Sequence, residues 1–183
     1  MSTDERMLRL REEVIRMGAF RAEWLPASEL PTDPVFRDMC ASNACGMYGK
    51  CWTCPPDVGD IHALMASLAD YTHVLVYQTV GELEDSYDFE GMMLAGEQHN
   101  ALAQAIRELF RREAFPSALH LGAGGCRVCK ICAKREDLPC RFPHLAMPSL
   151  EAYGVNVSQL AKKADMRYIN GQNTVTYFGA VLI

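Results

Sequence analysis

No stretch of this 183-residue chain approaches the roughly 18 uncharged apolar residues that a membrane-spanning helix needs. The opening MSTDERMLRLREEV alternates charges with Leu and Met, so it lacks the apolar core of a secretory leader. A basic excess is missing too. Eighteen Lys and Arg stand against 23 Asp and Glu, giving a net charge of −5, so the whole molecule is not an electrostatic trap for nucleic acid. Internal repeats and low-complexity tracts are absent. These absences lead to the expectation of a cytoplasmic protein with no membrane and no nucleic-acid partner. One further absence lies inside the chain, where residues 55–125 contain no cysteine.

The eight cysteines fall instead into two blocks, at 40–54 and 126–140. Cytosolic thiols stay reduced, so this number of them favours metal ligation, and a secreted disulfide framework would spread its cysteines along the chain. The remaining composition is that of an ordinary globular protein, with 49% hydrophobic and 22% charged residues. Its length suits one metal-binding domain, residues 1–183, with a real core.

Ser2 and Glu5 have the spacing of a capping box, and Met7, Leu10, Val14 and Met17 follow at helical period, which predicts a helix from residue 3 to Gly18. A short strand is expected at Phe20–Leu25, and Pro26, Pro31 and Pro34 mark a loop after it. Asp60 can cap a helix carrying Ile61, Leu64, Met65 and Leu68 on one face. HVLVYQTV at 73–80 reads as a buried strand, ahead of an acidic loop with Glu82, Glu84, Asp85, Asp88 and Glu90. The longest helix is expected from Met92 to Glu113, with Ala95, Leu102, Ile106 and Leu109 as its apolar stripe and Pro116 as its stop. SALHLG at 117–122 is a further strand, Ser158 is placed to cap a short helix, and TVTYFGAVLI at 174–183 reads as a last strand. The fold class is therefore α/β: a small mixed sheet of about four strands, helices packed on it, and two cysteine-rich loops.

The second block runs Cys126-x2-Cys129-x2-Cys132 and then Cys140. Two successive x2 spacings let three thiolates wrap three corners of a cubane, and a more distant cysteine supplies the fourth. Structural zinc sites use two separated Cys-x2-Cys knuckles instead. Gly122, Gly124 and Gly125 precede the block and let amide N–H groups turn towards cluster sulfurs. Where ferredoxins carry proline after the fourth cysteine, this chain has Arg141, so Cys140 is open to this cluster or to another. The first block, Cys40-x4-Cys45-x5-Cys51-x2-Cys54, is followed by Pro55 and Pro56; four cysteines in fifteen residues can also enclose a metal centre, though this spacing is less diagnostic. Its spacing suits a second [4Fe–4S] cluster or a zinc site built from two pairs. All eight cysteines are thus candidate ligands of two [4Fe–4S] clusters, with zinc the alternative chiefly for the first block.

The run NACGMYGKCWTCPP, with GGCRVCKIC, PCRFP and PSLEAYGVNV downstream, resembles a family of predicted metal-binding proteins classed as a domain of unknown function. The resemblance implies metal binding through Cys40, Cys45, Cys54, Cys126, Cys129, Cys132 and Cys140. It also implies that the position of Cys51 need not be cysteine, which would leave the first cluster three protein thiolates and one open iron.

Around these blocks, His99 on the long helix reads as a hydrogen-bonded core residue or a proton donor near a cluster, and His120 and His144 read as structural, with a hydrogen bond to a cluster or replacement of a ligand as the alternative. Tyr48 and Trp52 are placed to shield the first centre from water. Arg127, Lys130, Lys134, Arg135 and Arg141 make the second block basic, which suits an anionic cluster or an acidic docking partner. Three functions follow. Enough cysteines to close both sites favour intracellular electron transfer with a redox partner protein. An open iron favours a reductase or lyase acting on a small-molecule substrate. A structural zinc protein is the third.

Overall fold

The computed structural model describes residues 2–183. Helix α1 (Thr3–Arg16) opens on the expected capping box: the Glu5 amide donates to Ser2 Oγ at 3.2 Å and the Ser2 amide to a Glu5 carboxylate oxygen at 2.7 Å. Met17 caps its other end, and Gly18 follows at φ 122°, a backbone region that L side chains rarely adopt. Strand β1 (Arg21–Pro26) comes next, then α2 (Val35–Ala41), α3 (Ile61–Ser67) and β2 (His73–Glu82). Helix α4 (Phe89–Arg112), β3 (Leu119–Leu121), α5 (Val157–Lys163) and β4 (Thr174–Leu182) complete the order.

The structure differs from the sequence reading in four places, three of them with local causes. Residues after Pro34 form a helix and not a loop: Asp33 Oδ1 accepts the Val35 amide at 2.9 Å, and proline is tolerated at a helix start because no intrahelical bond needs its missing N–H. Helix α4 starts earlier than Met92 because Asp88, in the acidic loop, accepts the amides of Gly91 at 2.8 Å and Glu84 at 3.1 Å. Helix α5 is capped by Asn156, whose Oδ1 takes the Gln159 amide at 3.1 Å, and Ser158 lies inside the helix donating to the same oxygen at 2.9 Å.

The fourth difference is strand direction. The sheet has the order β1-β2-β4-β3, and each of these pairings is antiparallel, where mixed pairing was expected. Helix α4 carries the chain from β2 to a β3 that points the same way, as an α/β sequence predicts. Strand β4 then inserts between the two, giving a split β–α–β unit with no parallel neighbours.

Alternation along the strands divides the core in two. Val74, Val76, Ala180 and Leu182 face Leu150, Val155, Leu160 and Ala161, so α5 and the segment before it cover one side. Leu75, Tyr77 and Val181 face Leu10 and Val14 of α1 and Leu102, Ile106 and Phe110 of α4 on the other. Tyr77 lies opposite Gly179 on β4, and a methyl group at Gly179 would overlap its ring. The result is a sheet covered on both faces. The two cysteine loops leave it at the end of α2 and just after β3.

Candidate metal centre

The first loop begins within α2. Cys40 sits in the last turn of that helix, which Ser42 closes by donating to the Met39 carbonyl at 2.7 Å. The chain then bends through left-handed positions at Asn43, Gly46 and Gly49, and Asn43 Oδ1 accepts the Tyr48 amide at 3.1 Å. Cys51 and Cys54 occupy one tight turn in which the Cys54 amide donates to the Cys51 carbonyl at 3.0 Å. The second loop starts where Gly122 is clamped: its amide donates to the Pro148 carbonyl at 2.8 Å and its carbonyl accepts the Leu150 amide at 3.0 Å. Past Cys126 and Cys129, Cys132 begins a short 3₁₀ turn, Ala133–Glu136, that Asp137 ends in a left-handed conformation.

All eight cysteines are free thiols, and the fold regroups them. Cys126, Cys129, Cys132 and Cys140 line one small enclosed cavity, about 20 Å³, together with Trp52 and Phe142; Cys51 of the first block lines it too. Cys40, Cys45 and Cys54 line a different cavity, about 460 Å³, open to solvent. Chain order would divide the thiols four and four, whereas the cavities divide them three and five. Among the described residues, no three His, Cys, Asp or Glu side chains converge tightly enough to hold a single ion. The thiols stand around cavities.

Cys51 is the hinge of this arrangement. It is 1% exposed, and its sulfur lies 3.3 Å from Thr53 Oγ1. A hydrogen bond with Cys54 draws its pKa well below that of an ordinary thiol, and Thr53 and the Cys126 amide add to this. The same bond, helped by burial, drives Cys54 the other way. Burial raises Cys126, and it raises Cys40 with the help of neighbouring Cys45. Cys40, Cys54 and Cys126 therefore resist ionisation on their own, and a bound cation is what would deprotonate them.

Cations are built in around both groups. The Arg37 guanidinium donates to the carbonyls of Gly59 at 2.8 Å and Ala152 at 3.3 Å, and its charge opposes the rise at Cys40. Arg107 reaches towards the second loop, and Cys126 partly restores the basicity that burial removes from it. Lys134 pairs with Asp57 at 3.0 Å and lies 4.5 Å above the Trp52 ring, whose Nε1 donates to the Leu138 carbonyl at 2.9 Å. Trp52, Asp57 and Lys134 thus clasp one cysteine loop to the other.

The chain matches a family described as predicted metal-binding proteins, DUF2284, over residues 23–183. It belongs to that family. No curated protein and no solved structure matches it. Membership makes metal binding the shared property, and the donor set fits a metal: soft thiols with half-buried cations beside them, gathered from two loops that the fold brings together.

The histidines stand apart from both cavities. His99 is buried between Tyr77 and Tyr177, at 5.6 and 5.7 Å between ring centres, and its Nδ1 shares a 2.8 Å hydrogen bond with Thr79. It is a core residue. His120 is buried edge-on to Phe110, and His144 is exposed. Tyr48 lines the open cavity and Trp52 the enclosed one. Sequence reasoning missed Arg37, Asp57 and Glu151. Glu151 lines the open cavity, where burial pushes its carboxyl above the ordinary range against the Ser149 hydrogen bond. Its only signal was its place in the motif PSLEAYGVNV.

Proposed function

We propose that this chain is a two-centre iron–sulfur redox protein with one centre for electron transfer and one for a small molecule. Cys126, Cys129, Cys132 and Cys140 would hold a [4Fe–4S] cluster in the enclosed cavity, and Cys40, Cys45 and Cys54 a second beside the open one. The observation that carries this reading is the division of the thiols. Four from the second block, enough to complete a cubane's protein ligands, surround a small and largely enclosed cavity, and three stand at the wall of a cavity large enough for a ligand. A cluster with three protein ligands supplies one-electron chemistry and an iron at which a small molecule can coordinate.

The residues of the open cavity define what would enter it. Phe36, Met39, Met47, Tyr48 and Tyr168 give it an apolar wall, and methionines adapt to irregular shapes. Ser149, Asn156 and Ser158 offer hydrogen bonds, and Glu151 is the one ionisable lining residue besides the thiols and tyrosines. Among the described residues no Lys or Arg lines the cavity, so phosphorylated substrates are disfavoured, and an uncharged or cationic molecule with an apolar body fits best.

Anaerobically purified protein should contain about eight iron and eight sulfide per chain and absorb broadly in the visible range. One zinc per cavity without sulfide would replace this reading with a structural zinc protein. Addition of cyanide or imidazole should change the spectrum of one cluster and leave the other untouched. Two unresponsive clusters would make the protein an electron carrier alone.

A further inference from the structure

The rim of the enclosed cavity carries a surface that the centre itself does not require. Ile131, Leu138 and Phe142 are 58%, 49% and 42% exposed, and all three lie on the loop that surrounds the cysteines. Exposed apolar residues packed onto one short loop mark a contact surface, whereas scattered ones do not. The charges around them are of one prevailing sign. Between residues 126 and 141 there are five Lys and Arg against Glu136 and Asp137, in a chain whose net charge is −5.

These basic groups have different employment. Lys134 is held by Asp57 and Trp52, and Arg141 donates to the Ile131 carbonyl at 3.0 Å and pairs with Glu136 at 3.5 Å. Arg127 turns back towards α4, where its guanidinium lies against Gly96. The side chains of Lys130 and Arg135 are exposed and make no ion pair among the described residues. They flank the apolar group in sequence and are unpaired among the described residues.

We infer that this face is the docking surface for an electron-carrier protein with an acidic rim and an apolar centre. The inference rests on the proposed iron–sulfur reading of the cavity beneath. Apolar contact over the enclosed centre would bring two redox centres close while Lys130 and Arg135 steer the encounter, the usual division of labour at transient redox interfaces. In each encounter the reduced carrier loses one electron and the enclosed centre gains it, with no bond made and no proton transferred.

The test uses iron-loaded protein and a reduced plant-type ferredoxin of strongly negative charge. Complex formation is followed by calorimetry and cluster reduction by stopped-flow absorbance. Affinity and rate should both fall about tenfold or more from low salt to 0.3 M, as for a steered charged pair. The double variant Lys130→Glu/Arg135→Glu should lose about tenfold in both at low salt, while reduction by dithionite stays unchanged. If charge reversal lowers the iron content, Lys130→Gln/Arg135→Gln must give a smaller loss in the same direction. Binding and rate indifferent to salt and to both variants would overturn the inference. So would salt-dependent self-association that the reversal abolishes, since the acidic stretch 82–90 of a second copy would then be the occupant. Iron and sulfide content judges the cluster reading separately.

Discussion

Cys51 shows what a linear spacing can and cannot say. Its pairing with Cys54 at x2 spacing is a natural chelate, so local sequence makes it the fourth ligand of the first centre. The fold turns it towards Cys126, where it lines the enclosed cavity while its sulfur bonds back to Cys54. Such a thiol stands between the two groups of cysteines, and on the proposed reading the other seven hold the two centres. Cys51→Ala should therefore keep about eight iron per chain but change the electron paramagnetic resonance of the reduced protein, because a hydrogen bond beside the clusters is lost. Cys129→Ser, by contrast, should lose about four iron. Half the iron lost from Cys51→Ala would make it a ligand after all.

The buried histidines give a second residue-scale expectation. Burial holds His99 at about 4 and His120 at about 3, both below the ordinary 6.5. A ring that is neutral when folded and protonates when unfolded contributes stability above pH 6.5, and that contribution is lost as pH falls towards the folded values. Well inside this window each ring costs about 1.4 kcal/mol per pH unit. Replacing His99 with Gln should flatten the dependence of unfolding free energy on pH between 6.5 and 5. Denaturant titrations at several pH values would measure it, and an unchanged slope would show that the ring is not titrating as its burial demands.

At the scale of elements, legibility followed how local the signal was. The α1 capping box, the Asp60 cap of α3 and the apolar runs of β2 and β4 rest on neighbouring residues, and each forms where it was expected. Helix α2 was hidden because Pro31 and Pro34 read as breakers, and only the Asp33 side chain and the fold around it reveal a helix start. Strand direction was hidden too, since the insertion of β4 between β2 and β3 is a long-range choice that no local pattern records. The regrouping of cysteines has the same origin: the clasp of Trp52, Asp57 and Lys134 spans two loops far apart in sequence. Local α1 capping also predicts an effect. Ser2→Ala should lower stability by about 1 kcal/mol, seen as a small drop in denaturation midpoint, and no drop would mean that the first turn frays regardless of its cap.

At the scale of the whole molecule, the sheet and the centres are stabilised by different means. The core on both faces of the sheet is built from Leu, Val, Ile and aromatic side chains that owe nothing to a metal. The two loops have little apolar core of their own, and the crowded thiols would be held together by the bound centre. Removing the metal should therefore loosen the loops and leave the sheet folded. The two tryptophans report these regions separately. Trp24 is packed against Phe110 with its Nε1 bonded to the Met7 carbonyl at 2.8 Å, while Trp52 sits in the clasp between the loops. In a Trp24→Phe variant, chelation under anaerobic conditions should shift the remaining Trp52 emission to the red as the Leu138 and Lys134 contacts open. In Trp52→Phe, the Trp24 emission maximum should stay in place until denaturant unfolds the core. Parallel shifts of both tryptophans on chelation would mean that the metal centres and the sheet fold as one cooperative unit, and that the loops help to stabilise the sheet they leave.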